Sequence, residues 1–209
     1  MYRPLRRRWP LRPILRWYVG HYGVNLAEAA RPLADYTSMV DFFTRSLAEG
    51  ARPVAPEVDA IVSPVDGAVY AIGTVQNGRL PQAPDLDYAV QTLLGGDDRF
   101  DGGEFAVIYL SPKDYHRVHS PREGQITGWR YRPGRLWPVF PAATRRIRDL
   151  FARNERLVIH LDTDAGAIAY VMVGAFGVGR MRTTFCDLVT NEGWKGGDKT
   201  LDPPRGVER

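Results

Sequence analysis

At Pro53-Val54-Ala55-Pro56 the sequence changes its period, and that change limits what the chain can fold into. Before it, apolar residues recur at helical spacing: Leu11, Ile14, Leu15, Tyr18, Val19 and Tyr22 share one face, Arg12 and Arg16 lie opposite, and Trp9 and Trp17 lie close by. A second helix is expected from Ser38, where Ser38 and Asp41 form an S-x-x-D capping pattern, through Val40, Phe42, Phe43 and Leu47 to about Gly50. Beyond the prolines the pattern is of short apolar runs between turn signals. Ala60–Val62 and Ala68–Ile72 flank an Asp66-Gly67 turn, and Phe105–Leu110, Leu157–Leu161 and Ala167–Val178 read as further strands. A helix with outward arginines is expected around Ala143–Phe151. The expectation is an α+β chain: amphipathic helices over 1–50, then a β-rich domain over 51–209.

Composition narrows the class. A chain of 209 residues, 44% hydrophobic and 25% charged, can bury a core, and 21 glycines with 16 prolines suit many turns. The single cysteine, Cys186, excludes an internal disulfide framework and a cysteine-built zinc site. The net charge of +4 is unevenly spread: Arg3, Arg6, Arg7, Arg8, Arg12 and Arg16 all precede the first acidic residue, Glu28. Such a block contacts phosphates or is a solvated, frayed terminus. It is short, amphipathic and confined to one end, which argues against nucleic acid and for an anionic membrane surface. The apolar stripe has a second use, packing on the protein's own core. Pro10, Pro13 and Arg16 interrupt any signal peptide, and no run reaches the ~18 apolar residues that span a bilayer. The longest run, Ala167 to Gly179, holds three glycines and reads as buried strand. The chain is expected to lie on a membrane without crossing it.

Three stretches can carry chemistry. Ser63-Pro64-Val65-Asp66-Gly67 is an ordinary turn between strands, or a turn that projects the Asp66 carboxylate toward a histidine. Tyr109-Leu-Ser-Pro-Lys-Asp-Tyr-His-Arg-Val-His-Ser-Pro121 places two of the four histidines, His116 and His119, three residues apart after an apolar strand. An extended chain would face them opposite ways, so a turn between Pro112 and Pro121 is needed to bring both into one cleft. Zinc ligation is the alternative, but a third protein ligand is then required and His160 is the only histidine left outside the N-terminal helix. Phe151-Ala-Arg-Asn-Glu-Arg-Leu-Val158 alone reads as a solvated, charged connection.

Together, and in this order, these stretches with Val171-Met-Val-Gly-Ala-Phe-Gly-Val-Gly179 resemble the prokaryotic-type phosphatidylserine decarboxylase family, from about Phe42-Phe43 to Gly179. The resemblance implies a catalytic domain that makes its own cofactor. A serine in a Leu-Gly-Ser-Thr segment attacks the preceding carbonyl, and the ester breaks by elimination. A large chain and a small chain result, the small one headed by a covalent pyruvoyl group. Carried over by position, Asp66 orients His119 and His119 activates that serine. The pyruvoyl carbonyl takes up the amine of phosphatidylserine and serves as electron sink for loss of CO2. His116 is the matching acid, with a second possible role as phosphate contact, and imidazole suits acid work because its pKa of ~6.5 is near neutrality. The implied product is phosphatidylethanolamine. The implied setting is the cytoplasmic face of the cell membrane, with phosphatidylserine, the small chain from the same precursor and a homodimer of such heterodimers as partners; no metal is implied.

No Leu-Gly-Ser-Thr segment occurs in these residues, and Thr183-Thr184 and Ser120 stand in other contexts. The expectation is therefore a large chain apart from its small partner, or part of a longer precursor. A shortened, inactive membrane-binding paralogue is the less favoured alternative. A zinc hydrolase built on His116, His119 and Asp66 is a weaker rival still, since no nucleophile-activating glutamate accompanies them.

Overall fold

A computed structural model describes residues 10–83, 86–192 and 196–207. Arg3, Arg6, Arg7, Arg8 and Trp9, on which part of the basic-block argument rests, lie outside the described residues. The chain divides into two compact units, the first of residues 1–70 and 106–122, the second of residues 71–105 and 123–208. The described part of the helical region, residues 10–50, thus shares a unit with both the Asp66 turn and the histidine segment.

In the first unit, α1 spans Leu11–Tyr22 and ends at Gly23, whose left-handed φ of 70° lets its N–H reach the Val19 carbonyl. Its apolar stripe is spent on the chain's own core: Leu15 and Tyr18 are buried with Val24, Tyr36 and Phe42. Among the residues that α1 exposes are Arg12, Arg16 and Trp17, with Trp17 stacked on His21 at 4.8 Å. The second helix, α2, starts as expected, the Ser38 hydroxyl accepting from the Asp41 N–H, but covers only Met39–Phe43. It stops there because the backbone beyond is claimed elsewhere. The Ser46 carbonyl accepts from Ala30, and the Ala48 N–H donates to Glu28. Ala60–Val62 is likewise no ladder strand; the Val62 N–H donates to the Pro121 carbonyl.

β1 (Ala68–Thr74) and β4 (Glu104–Tyr109) form a two-stranded sheet, and along both strands the chain passes from one unit to the other. The second unit adds an antiparallel pair, β2 (Arg79–Ala83) with β3 (Leu86–Ala89), followed by the short helix α3 (Val90–Leu94). Its main sheet has four strands in the order β7-β6-β5-β8: β5 is Gly124–Arg132, β6 Arg156–Thr163, β7 Gly166–Val173 and β8 Gly197–Val207. The hairpin β6–β7 pairs Leu157 with Met172 and Ile159 with Tyr170, and one sheet face buries Ile126, Trp129, Tyr131, Leu157, Ile159 and Leu161. The helix expected over Ala143–Phe151 is two single turns, α4 (Pro141–Thr144) and α5 (Leu150–Arg153), because Asp149 between them takes a left-handed φ of 55°.

The charged run at 154–156 is a correction to the sequence reading: Asn154, Glu155 and Arg156 are all buried. Burial is tolerated because every group is used. The Asn154 amide accepts from the Trp137 N–H and donates to the carbonyls of Trp137 and Gly174. Glu155 accepts from the Thr190 hydroxyl and the Asn191 amide, and desolvation raises its pKa. Arg156 donates only to carbonyls, of Thr92, Leu93, Ala152 and Asn154; burial, then the nearby Arg132 charge, brings its pKa down to about 10. Replacing Asn154 by Ala strands the Trp137 N–H and the Gly174 carbonyl at once, so chemical denaturation of that variant is expected to show a loss of about 3 kcal/mol; a loss below about 1 kcal/mol would mean that the buried amide is dispensable.

Candidate active site

The first unit assembles the candidate site around the segment 111–119. β4 delivers the chain to Ser111, and there a turn closes: the Asp114 N–H donates to the Ser111 carbonyl while the Asp114 carboxylate accepts from the Ser111 N–H at 2.6 Å. Three anchors tie the segment to the helical region. The Tyr18 hydroxyl of α1 donates to the Pro112 carbonyl at 2.6 Å. Arg45, only 3% exposed, donates Nη2 to the Lys113 carbonyl at 2.9 Å, its guanidinium lying over the Phe42 ring. Arg117 Nε donates to the Thr44 carbonyl at 2.9 Å.

The turn at 63–67 packs against the same segment. The His119 N–H donates to the Pro64 carbonyl at 2.9 Å. Gly67 has φ 132°, and a Cβ built on it would stand 2.4 Å from the Tyr109 carbonyl oxygen. Only glycine permits that close approach. Asp66 is thereby brought beside the histidine segment, where the Tyr115 backbone helps to lower its pKa. Its main partner is a residue that sequence reasoning missed. Arg52 donates Nε and Nη2 to the two carboxylate oxygens at 2.8 and 2.6 Å, and its Nη2 also meets Glu28 at 2.9 Å. The Arg52 hydrogen bonds hold the Asp66 carboxyl below the usual range, so it is ionised at neutral pH.

The two histidines differ. His116 is half-buried, with its ring 3.9 Å from that of Phe43, and its Nδ1 lies 2.9 Å from the Asp114 carbonyl. A carbonyl only accepts, so Nδ1 carries a proton and Nε2 is the nitrogen left for exchange. Burial pushes this imidazole below its ordinary value, only partly offset by the Asp114 carbonyl. His119 is exposed, and its Nε2 lies 2.9 Å from the hydroxyl of buried Tyr115, the rings stacked at 5.6 Å. No hydrogen bond joins Asp66 to His119 directly; the carboxylate is held by Arg52 and the imidazole by Tyr115.

Asp66, His116 and His119, the three residues singled out in the sequence, therefore share one locality. Tyr115 and Arg45 were missed although Tyr115 stands between Asp114 and His116 and Arg45 lies just past the Phe42-Phe43 pair. Arg52 was missed because, beside the linker prolines, it reads as an ordinary surface cation. His160, the third histidine weighed as a zinc ligand, instead sits on β6 with Nδ1 3.6 Å from Asp97. Among the described residues no three His, Cys, Asp or Glu side chains are grouped to hold a metal ion. The depressed His116 value has a direct readout. In a proton NMR titration its midpoint is expected below the ~6.5 of a free imidazole, and Phe43→Ala, which opens the ring to water, should move it back up; a midpoint at or above the free value would contradict that burial.

The phosphatidylserine decarboxylase family model matches residues 39–202. A relative from Anaeromyxobacter sp. (strain K), named phosphatidylserine decarboxylase proenzyme, is 51% identical over 170 residues, covering 80% of this chain and 60% of that protein. Those of the same name from Marinobacter nauticus and Brevibacillus brevis are 45% and 43% identical, over 84% and 92% of this chain and 63% and 70% of theirs. The chain spans about three fifths of the first two relatives' length. With a family match over most of its residues and close identity to several members, the chain belongs to the phosphatidylserine decarboxylase family.

Proposed function

We propose that this chain supplies the acid–base residues of a phosphatidylserine decarboxylase, which forms phosphatidylethanolamine and CO2, and that a further segment supplies the pyruvoyl-bearing serine. The observation that carries the reading is the juxtaposition, in a chain of this family, of an ionised Asp66 with an exposed His119 and a neutral, half-buried His116. When present, the pyruvoyl group supplies the carbonyl that binds the substrate amine and accepts the electron pair left by CO2. The residues described suit it, since two imidazoles of different exposure serve two different proton transfers.

In self-cleavage, His119 takes the serine hydroxyl proton and Asp66 favours the resulting imidazolium by its charge. In turnover, His116 moves its proton at Nε2, because Nδ1 is committed to the Asp114 carbonyl. Its lowered pKa makes it a ready donor once protonated and leaves it neutral at rest. The large chain pairs with the small chain of its precursor, and two such heterodimers associate. The α1 face carrying Arg12, Arg16 and Trp17 lies against anionic lipid at the cytoplasmic face of the cell membrane. None of the helices among the described residues is long and apolar enough to cross a bilayer.

Intact mass of the product of the full-length gene tests the reading. Two chains are expected, the smaller blocked at its N-terminus by a pyruvoyl group; one uncut, inactive chain would sink it and favour the inactive paralogue. His119→Ala should abolish cleavage, whereas His116→Ala should cleave and then lose about 10²-fold or more in decarboxylation. Arg12→Glu with Arg16→Glu should weaken sedimentation with phosphatidylserine vesicles by about tenfold or more, while unchanged binding would remove α1 from the membrane contact.

A further inference from the structure

We infer that Tyr115 is a positioning residue for His119, holding Nε2 so that the ring presents Nδ1 to the reacting hydroxyl. The inference rests on the self-cleavage role of His119 proposed above. Its geometry is independent of that role.

The Tyr115 hydroxyl lies 2.9 Å from Nε2, the two rings are inclined by only 19°, and Tyr115 is 8% exposed, so its position is set by packing. An incoming serine therefore finds Nε2 occupied, and Nδ1 without a hydrogen-bond partner among the described residues. For Nδ1 to act as base it must be bare, so Nε2 carries the proton and donates it to the phenol oxygen. That arrangement survives the reaction. When Nδ1 takes the serine proton, the Nε2–H to phenol hydrogen bond is unchanged and becomes charge-assisted, and no hydroxyl has to rotate. The opposite arrangement, with the phenol donating to Nε2, would put the proton of neutral His119 on Nδ1 and engage its one lone pair with the phenol, leaving no nitrogen free to act as base.

The Tyr115 backbone also helps to lower the Asp66 pKa, while its hydroxyl meets the His119 imidazole, so one residue bears on both groups.

The test uses histidine labelled with ¹⁵N in the 209-residue chain and, separately, the full precursor. Long-range ¹H–¹⁵N correlation reports which ring nitrogen of His119 is protonated. The expected wild-type result is one tautomer, Nε2 protonated and Nδ1 bare; Tyr115→Phe, which keeps the stacked ring, should shift both nitrogens as that hydrogen bond is lost. In the precursor the same variant should cleave about tenfold more slowly, the loss expected for one hydrogen bond. If Tyr115→Phe does not fold, 3-fluorotyrosine at position 115 retains the hydroxyl, weakens its oxygen as acceptor and should shift Nε2 in the same sense. A wild-type spectrum with Nδ1 protonated, or shifts and cleavage rate unchanged by the substitution, overturns the role of Tyr115 while leaving the family reading intact. A wild-type precursor that never cleaves overturns the self-cleavage reading, and the role of Tyr115 in it, whatever the spectra show.

Discussion

The first unit depends on a guanidinium taken out of water. Arg45 follows directly on α2 and its capping residue, is almost fully buried, and spends its charge on the backbone carbonyls of Lys113 and Asp114 and on the face of Phe42. Desolvating a cation is costly unless its surroundings return hydrogen bonds. Here the return is positional. The Asp114 carbonyl that Arg45 Nη2 approaches at 3.4 Å also receives His116 Nδ1, at 2.9 Å. The placement of a buried cation thus fixes the tautomer of a titrating ring, and the Tyr18 and Arg117 anchors prevent the segment from swinging away.

The two histidines stand in different environments, as the two proposed roles require. His116 is packed on Phe43, poorly solvated and committed at one nitrogen, which suits a group whose proton must go to one place. His119 is open to solvent and steadied by a single buried phenol, which suits a group that must meet a reactant arriving from another part of the protein. The Arg52 ion pair keeps Asp66 charged without burying it. Exposed pairs of this kind contribute little to stability, about 0 to 1 kcal/mol, so its meaning lies in where it holds the carboxylate.

Much of this was legible in the residues, and the failures have definite causes. Helix α1, the strands β1, β4, β6 and β7, and the Asp-Gly turn follow from periodicity and turn chemistry, which are local. The early end of α2 was not legible, because competing hydrogen bonds from residues 28–30 are remote in sequence. β2, β3, β5 and β8 were overlooked. β5 mixes glycines, arginines and aromatics, and its pairing with β6 and β8, not its pattern, makes it a strand. The run at 154–156 was misjudged because charge normally signals solvent, and only tertiary partners reveal an exception. The grouping of Asp66, His116 and His119 came from family resemblance. Spacing alone could not bring residue 66 to residue 119.

The close approach at Gly67 separates two kinds of constraint that a sequence otherwise shows alike. Any side chain there would collide with the Tyr109 carbonyl, so glycine is required for the chain to fold, whether or not it performs any reaction. His119 stands in solvent, and nothing in the packing demands it. A descendant released from its chemistry would therefore lose the imidazole first and the glycine last. The ratio of those two losses across a lineage would date the end of its activity.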